Sequence, residues 1–290
     1  AVGSYPFDSE FSPEGDLIYT VNSYGDSVSI IKAKTGRVTK TISVGDGPST
    51  VEFLRNGKRA YVFNGGDSNI SVIDAAKKRM ISTLTLPPNL YACRLTPNQK
   101  AVACSTTTGD LGVFTLKNSR LTATVNVGYE ASDIDWAADN TRILLTMHND
   151  DRVVVLSWPG LEAVHTTTVG DSPIWSDVSN DGDTLYVANY YGDSVSVIDA
   201  VDGSLDATVS VGAGCWPASV TVFPDDLRGY VPCYLSGEIV SINLINNLVE
   251  DEEGTSIYPG INDIAVDISR GTARGVVTNY EEDSVGFLAF

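Results

Sequence analysis

The sequence predicts an all-β protein, a seven-bladed β-propeller of four-stranded antiparallel blades whose last blade is short of its outer strand. One phrase recurs about every 42 residues along the 290-residue chain, and a fixed period of this length is typical of repeat proteins. Each copy alternates apolar and polar residues in short β-branched runs, which is the pattern of strands. No amphipathic stretch of helical period is long enough to compete with these runs.

The recurring phrase is clearest between Leu185 and Asp199, and further copies begin at Ile18, Ala60 and Gly275. One small sheet cannot bury both of its faces, whereas seven sheets around an axis bury each face against a neighbour. We therefore predict that residues 1–290 form a single domain. Its repeats run over about 2–43, 44–85, 86–126, 127–168, 169–210, 211–253 and 254–290.

Each repeat is predicted to contain four strands. The first ends at a turn rich in Pro, Asp and Gly, and the second carries the run Tyr-Val-x-Asn. The third carries Ser-Val-x-Val-Ile-Asp, and the fourth carries Ala-Thr-Val-x-Val-Gly. Three repeats depart from the second run, and we expect Ser105, His148 and Tyr234 to stand where the other repeats have Asn.

These runs resemble the YVTN-type repeat family of seven-bladed β-propellers, and the match is strongest in the fifth repeat. The Gly-His and Trp-Asp dipeptides that are typical of WD40 repeats are missing from the sequence. The resemblance implies a propeller similar to surface-layer and exported proteins and, more distantly, to lactonase-type propellers.

The charge of the chain excludes some classes of partner. The formal net charge is −18, and a nucleic-acid partner would require basic surface that displaces counterions. No apolar run reaches the roughly 18 residues of a membrane-spanning helix, so we expect no membrane insertion. The sequence begins at Ala1 without an initiator Met, which favours an extracellular or cell-surface protein; a trimmed chain is the alternative.

Four cysteines bear on the same question of compartment. Counting outward from the turn between them, Cys93 lies opposite Cys104, while Cys215 and Cys233 hold loosely similar positions in the sixth repeat. Two local disulfides would fit an oxidising compartment. Buried free thiols are the alternative.

The two faces of a propeller of this kind are predicted to differ in charge. The loops on one face contain 17 of the 19 Lys and Arg residues, together with acidic residues. The loops on the other face are acidic and aromatic, which favours cations, or neutral ligands such as glycans that stack on rings. An Asp before Ser in these turns caps its own backbone in an Asx turn, and we expect this of Asp26, Asp67, Asp193 and Asp283.

The last repeat ends on its third strand, with no charge between Ser284 and Phe290. An uncovered sheet edge pairs readily with another chain. The interface candidates are Val285, Phe287, Leu288 and Phe290, and the expected partner is a protein, including a second copy in a homo-oligomer or filament. A short blade covered by its own loops is the alternative.

Catalytic signals are weak, so a non-enzymatic interaction or structural protein is favoured over a lactonase- or lyase-like enzyme. The catalytic candidates are His148, which could act as a general base, and the nearby carboxylate Asp150. No zinc-ligand spacing is present, we expect no cofactor, and calcium held by carboxylates is the alternative. The candidates for ligand binding, including carbohydrate, are Trp175, Tyr190, Trp216, Tyr234 and Tyr280.

Overall fold

In a computed structural model of the chain, described for residues 1–250, 259–267 and 273–289, the described residues form 27 strands and two short 3-10 helices. The strands make seven antiparallel sheets, each a meander in which neighbours in sequence are neighbours in the sheet. Six sheets have four strands and the seventh has three. The prediction of seven small sheets with a short last one is confirmed.

The residues fall into two compact units. The first unit comprises Ala1–Leu90, Leu116–Arg120 and Gly260–Phe290. It holds the first sheet, β1 (Pro6–Phe11), β2 (Leu17–Asn22), β3 (Ser27–Lys32) and β4 (Arg37–Ser43); the second sheet, β5 (Pro48–Phe53), β6 (Arg59–Asn64), β7 (Asn69–Asp74) and β8 (Arg79–Thr85); and the seventh sheet given below.

The second unit comprises Tyr91–Thr115 and Leu121–Pro259. It holds four sheets with these strands: β9 (Leu90–Leu95), β10 (Ala101–Thr106), β11 (Asp110–Thr115) and β12 (Leu121–Asn126); β13 (Asp133–Trp136), β14 (Arg142–Met147), β15 (Arg152–Ser157) and β16 (Ala163–Thr168); β17 (Pro173–Val178), β18 (Thr184–Asn189), β19 (Ser194–Asp199) and β20 (Leu205–Ser210); β21 (Thr221–Val222), β22 (Arg228–Pro232), β23 (Ile239–Asn243) and β24 (Leu248–Val249). The seventh sheet, in the first unit, contains β25 (Ile261–Asp267), β26 (Arg274–Asn279) and β27 (Ser284–Ala289).

The hydrophobic cores lie between consecutive sheets, because successive side chains of a strand point to opposite faces. On β2, Tyr19 and Val21 pack against Val51 and Val62 of the second sheet. Ile18, between them in sequence, packs with Val276 of the seventh sheet. The second unit repeats this arrangement between its third and fourth, fourth and fifth, and fifth and sixth sheets.

The repeated Asn of the second strand holds a sheet together at one end. The Asn22 Nδ2 atom donates to the Ser27 and Ser29 Oγ atoms at 3.0 and 3.1 Å. Its Oδ1 atom accepts from the Gly3 backbone N–H at 3.0 Å. A Cβ atom on Gly3 would lie 2.6 Å from the Asn22 Cγ atom. The repeated Asn, Ser-x-Ser and Val-Gly residues are therefore parts of one buried contact.

The expectation that Ser105, His148 and Tyr234 stand at this Asn position is wrong by one residue. The Asn lies five residues after the carbonyl that closes the preceding turn, as in the bond from Ser12 N to Leu17 O, which fixes Asn22. The same count from the equivalent bonds, which end on the carbonyls of residues 101, 142 and 228, places Thr106, Met147 and Cys233 there. Strand register follows the backbone turn, whereas the sequence alignment selected the nearest polar or aromatic residue.

Carboxylates on the first strand of one sheet accept backbone hydrogen bonds from the first strand of the next. Asp8 accepts from the Val51 N–H at 2.8 Å in the first unit. Asp133 accepts from Ser176 at 3.0 Å, and Asp177 accepts from Val222 at 2.7 Å, in the second unit. These bonds satisfy buried N–H groups that a first strand presents away from its own sheet.

Asp177 is the member of this set with a strongly displaced pKa. Burial, followed by the neighbouring charge of Asp135, raises the pKa of the Asp177 carboxyl to about 7. Its two backbone hydrogen bonds, from Val222 and Val178, act in the opposite direction but do not outweigh these causes.

We predict that the protein loses stability as Asp177 ionises. Because the pKa in the folded state is raised, the folded state binds more protons than the unfolded state between the ordinary carboxyl value and about pH 7. The free energy of unfolding should therefore fall as the pH rises from about 4 to about 7, as measured by urea denaturation. Asp177→Asn should flatten this dependence, and the exposed-site control Asp206→Asn should leave it intact. An unchanged slope in Asp177→Asn would contradict the assignment.

Candidate functional site

Aspartates in the turns between second and third strands join consecutive sheets. Asp26, Asp151, Asp193 and Asp283 all have left-handed backbone angles, with φ between 43° and 48°. Asp26 accepts from the Gly47 N–H at 3.1 Å, and Asp151 accepts from Ser172 at 2.9 Å. Each bond reaches the loop that leads into the next sheet.

The expectation that Asp26, Asp67, Asp193 and Asp283 cap their own backbone in local Asx turns is thus wrong. Asp283 accepts from the Tyr5 N–H at 2.8 Å, and Asp193 accepts from both Gly214 and Trp216, at 2.8 and 2.9 Å. Asp67 bonds to the Asp46 N–H at 3.0 Å instead. The loop between two sheets has backbone N–H groups that no strand pairs with, and the carboxylate accepts hydrogen bonds from them.

The residue that donates to the aspartate is itself left-handed. Gly47 and Ser172 occupy this position with φ of 59° and 60°. Tyr5 and Trp216 occupy it with φ of 55° and 51°, although a bulky side chain in this region is an outlier. Such a backbone costs on the order of 1–3 kcal/mol per residue, so two aromatic side chains are held here against a local conformational cost.

Trp216 is part of a group of four rings, here termed the Trp216 cluster, formed by Tyr190, Tyr191, Trp216 and Tyr234. The centroid of Tyr190 lies 5.0 Å from Tyr191, 5.5 Å from Trp216 and 6.1 Å from Tyr234. Tyr191 and Trp216 are 5.6 Å apart, with an angle of 87° between their planes. The Tyr191 side chain is 57% exposed, so the cluster presents ring surface to solvent.

The Tyr5 cluster repeats this arrangement in the first unit. It consists of Tyr5, Phe7, Tyr24 and Tyr280, with the Tyr5 centroid 4.2 Å from Tyr24 and 4.4 Å from Tyr280. Tyr280, like Tyr190 and Tyr234, directly follows the Asn position, and Tyr24, like Tyr191, comes one residue later. Tyr24 is 68% exposed. The two clusters therefore share two positions of the repeat, the left-handed residue and the first residue after the Asn position of the preceding sheet.

A disulfide fixes two rings of the Trp216 cluster. Cys215 and Cys233 are bonded, with 4.4 Å between their Cα atoms, and each directly precedes a ring of the cluster. The Tyr234 N–H also donates to the Trp216 carbonyl at 3.0 Å. A second disulfide joins Cys93 to Cys104, and no free cysteine remains among the described residues.

The Trp216 cluster lies in a part of the sequence without Lys or Arg. Between Arg152 and Arg228 there are 75 residues with no Lys or Arg and with 11 Asp or Glu. Burial, followed by the neighbouring phenols of Tyr234 and Tyr191, raises the pKa of Tyr190 to about 12. The phenol stays neutral, and this stretch of the sequence carries a negative formal charge.

The structure distributes the sequence-predicted candidates over several places. Tyr190, Trp216 and Tyr234 meet in one cluster, whereas Tyr280 belongs to the other. Trp175 lies half-buried on β17 and is not a member of either cluster. Tyr191 and Tyr5 were not among the ligand-binding candidates, although the repeated Tyr-Gly-Asp run signalled the first of them.

The proposed acid–base pair is not assembled. The His148 Nδ1 atom faces the Ser172 Oγ atom at 3.2 Å, and Asp150 forms an ion pair with Arg152. His148 belongs to the 3-10 helix His148–Asp150, in the position after Met147. These two side chains thus have different partners, and the contact that His148 does make places a ring nitrogen beside the Ser172 hydroxyl.

In residues 1–250, 259–267 and 273–289, no three or more His, Cys, Asp or Glu side chains are grouped to hold a metal ion. Within the same ranges, no helix has the length and apolar character needed to cross a bilayer.

The interface candidates lie on the last strand. Val285 packs at the edge of the core formed by Ile18, Ile31 and Val276. Phe287 is 45% exposed, and Leu288 is half-buried. Phe290 lies outside the described residues.

Comparison with known proteins establishes the fold class and nothing finer. No family model and no curated protein matches the chain. Among solved structures, it is similar to Kuenenia stuttgartiensis hydrazine synthase, with a TM-score of 0.85, 14% identity, and coverage of 100% of this chain and 97% of that chain. It is also similar to the Myceliophteria thermophila Cps50 (Swd1) β-propeller domain, with a TM-score of 0.84, 11% identity and coverage of 100% and 98%. The protein is a seven-bladed β-propeller.

We predict that the Cys215–Cys233 bond contributes to stability and to the order of the cluster. The Cys215→Ser/Cys233→Ser double variant should lose about 3 kcal/mol of unfolding free energy, as expected for closing a loop of this size. Urea denaturation and the near-ultraviolet circular dichroism of the aromatic rings would measure the two effects. Cys93→Ser/Cys104→Ser, which opens a shorter loop, should lower stability but leave the signal of the Trp216 cluster in place. Equal loss of that signal in both variants would contradict the prediction.

Proposed function

We propose that this chain is a non-enzymatic interaction and structural propeller, extracellular or at the cell surface, that assembles with a second copy through the open edge of β27. The observation that carries the proposal is that the seventh sheet ends on its third strand. The two disulfides support an oxidising location.

The third strand of the last sheet is more exposed than its counterparts. On β3, five of six residues are buried, and on β19 likewise five of six. On β27, none of the residues from Ser284 to Leu288 is buried, and Phe287 is 45% exposed. In the complete sheets a fourth strand covers the outer edge of the third. Within residues 1–250, 259–267 and 273–289, no strand pairs with the outer edge of β27, which places an open edge beside apolar side chains.

The position of Val2 shows where a fourth strand would end. The Val2 N–H donates to the Asp283 carbonyl at 2.9 Å. In the first and fifth sheets the same bond is made by Val44 and Val211, the residues that directly follow the fourth strand. A strand added beside β27 would therefore run antiparallel to it, with its carboxyl end toward Val2.

Phe287 partly occupies the place of the absent strand. A Cβ atom on Gly36, in the turn between β3 and β4, would lie 3.0 Å from the Phe287 ring. The equivalent Gly203 is approached by His165 of β16, a fourth strand, at 2.6 Å from the corresponding Cβ position. An exposed aromatic side chain thus stands where the neighbouring sheet normally meets an outer strand.

A second copy is the occupant that this edge fits best. Two β27 strands related by a twofold axis pair antiparallel, so both open edges are satisfied by one symmetric contact. The described strand carries no charge, so the pairing itself brings no like charges opposite each other. In the register centred on Phe287, the two Phe287 side chains lie opposite each other, and such aromatic pairs stabilise antiparallel sheets.

We predict that Phe287→Lys abolishes self-association, because it places two like charges opposite each other at the centre of the contact. Sedimentation velocity over a concentration series should show wild-type dimers or larger particles and a monomeric variant. Ile81→Lys is the matched control, since Ile81 is also exposed, at 41%, but lies on β8, a fourth strand of a complete sheet in the same unit. Thermal melts verify that both variants are folded.

Two results would argue against this function. One is a wild-type protein that stays monomeric at the highest concentration reached. The other is association that Phe287→Lys and Ile81→Lys disturb equally.

A further inference from the structure

We propose that the Trp216 cluster is a binding site for organic cations, either a quaternary ammonium group or the cationic end of a Lys or Arg side chain. This inference is independent of assembly through β27. It rests on the ring geometry, the conformational cost of Trp216 and the negative charge beside the rings.

The ring geometry offers several faces to one ligand. All three other centroids lie within 6.1 Å of the Tyr190 centroid, and the planes meet at angles from 44° to 87°. A cation is attracted when it lies within about 6 Å of a ring centroid. The rings are in mutual contact, so the ligand would lie on their exposed outer surface, where Tyr191 is 57% exposed.

The position of Trp216 is not explained by stability of the fold. The same slot accepts Gly47 and Ser172 without an aromatic side chain. Trp216 takes it with φ of 51°, and strained positions of this kind are concentrated at functional sites. Asp193 and the Cys215–Cys233 bond hold the backbone in place. The fold thus keeps a Trp, the strongest cation-binding ring, where a Gly would fit.

The charge of the surroundings selects the sign of the ligand. The 75 residues between Arg152 and Arg228 contain no Lys or Arg, and they carry 11 acids. Arg228 itself bonds to Glu250. One of these acids, Asp193, accepts the Trp216 N–H at 2.9 Å and so places a carboxylate beside the cluster. A negative charge at this place favours cations over anions.

The Tyr5 cluster is a natural internal comparison. Tyr5 and Tyr280 hold the positions of Trp216 and Tyr190, but the cluster contains no Trp. Because Tyr faces attract cations less strongly than Trp faces, we expect weaker binding there.

The test uses choline and its neutral carbon isostere, 3,3-dimethyl-1-butanol, titrated calorimetrically into the full chain at fixed ionic strength. Choline should bind at least about tenfold more tightly than the isostere, because only the charged head gains cation–π attraction. A short lysine peptide forms the second arm. Tighter binding of the peptide identifies a protein side chain as the source of the cation, and tighter binding of choline identifies a free ammonium compound.

Two variants and one control locate the site. Tyr191→Ala and Trp216→Gly should each weaken binding by at least about fivefold. Glycine suits the left-handed backbone of residue 216, so this variant should fold at least as stably as the wild type. Tyr129→Ala removes a tyrosine of the same unit that is 51% exposed and outside the cluster, and it should bind normally. Repeating the titration on Phe287→Lys separates this site from assembly.

The proposal is overturned by equal affinity for choline and the isostere, which would indicate apolar contact alone. It is equally overturned if Tyr191→Ala binds choline as the wild type does. Tyr191-dependent binding of a neutral oligosaccharide without binding of either cation would assign the rings to a glycan instead.

Discussion

The structure depends on the contact between a turn aspartate of one sheet and the loop that enters the next. The side chain of Asp193 accepts two N–H groups of that loop, and its own carbonyl accepts the Val211 N–H at 3.0 Å. A single residue thus terminates one sheet and orients the next. It adopts a left-handed backbone to do so, which Asp tolerates better than most residues. Side-chain packing between the sheets then follows from the alternation of the strands.

Much of the fold could be predicted because local and long-range signals agree in each repeat. The alternation in β18 and β19 and the turn between them predict a hairpin without reference to the rest of the chain. The short last sheet could be predicted because the run from Ser284 to Ala289 matches the third strand of the repeat. The residues equivalent to the repeated Asn could not be predicted in three repeats. Strand register is set by the backbone turns, and side-chain identity is a poor marker of register where Met147 or Cys233 replaces Asn.

The candidate site was predictable only in part. Tyr190, Trp216 and Tyr234 were chosen because they stand near loop ends, and a repeat alignment brings them together. Trp175 met the same criterion yet lies on β17, since its position in the strand and not its residue type decides which way it points. The left-handed backbone of Trp216 and Tyr5 could not be foreseen, because a bulky aromatic residue is the last type that propensity would place there. The structure reveals this backbone conformation, because Trp216 donates to a turn aspartate from the same position as Gly47.

The Cys215–Cys233 bond has a consequence for how this chain comes apart. Trypsin cuts after Lys and Arg, and the only such residue between the two cysteines is Arg228. Digestion at Arg228 cleaves the peptide bond but leaves the two flanking fragments linked by the Cys215–Cys233 disulfide. A fragment spanning residues 153–228 is therefore released as a separate species only after reduction, so the mass of that digest reports directly on the oxidation state of the native material.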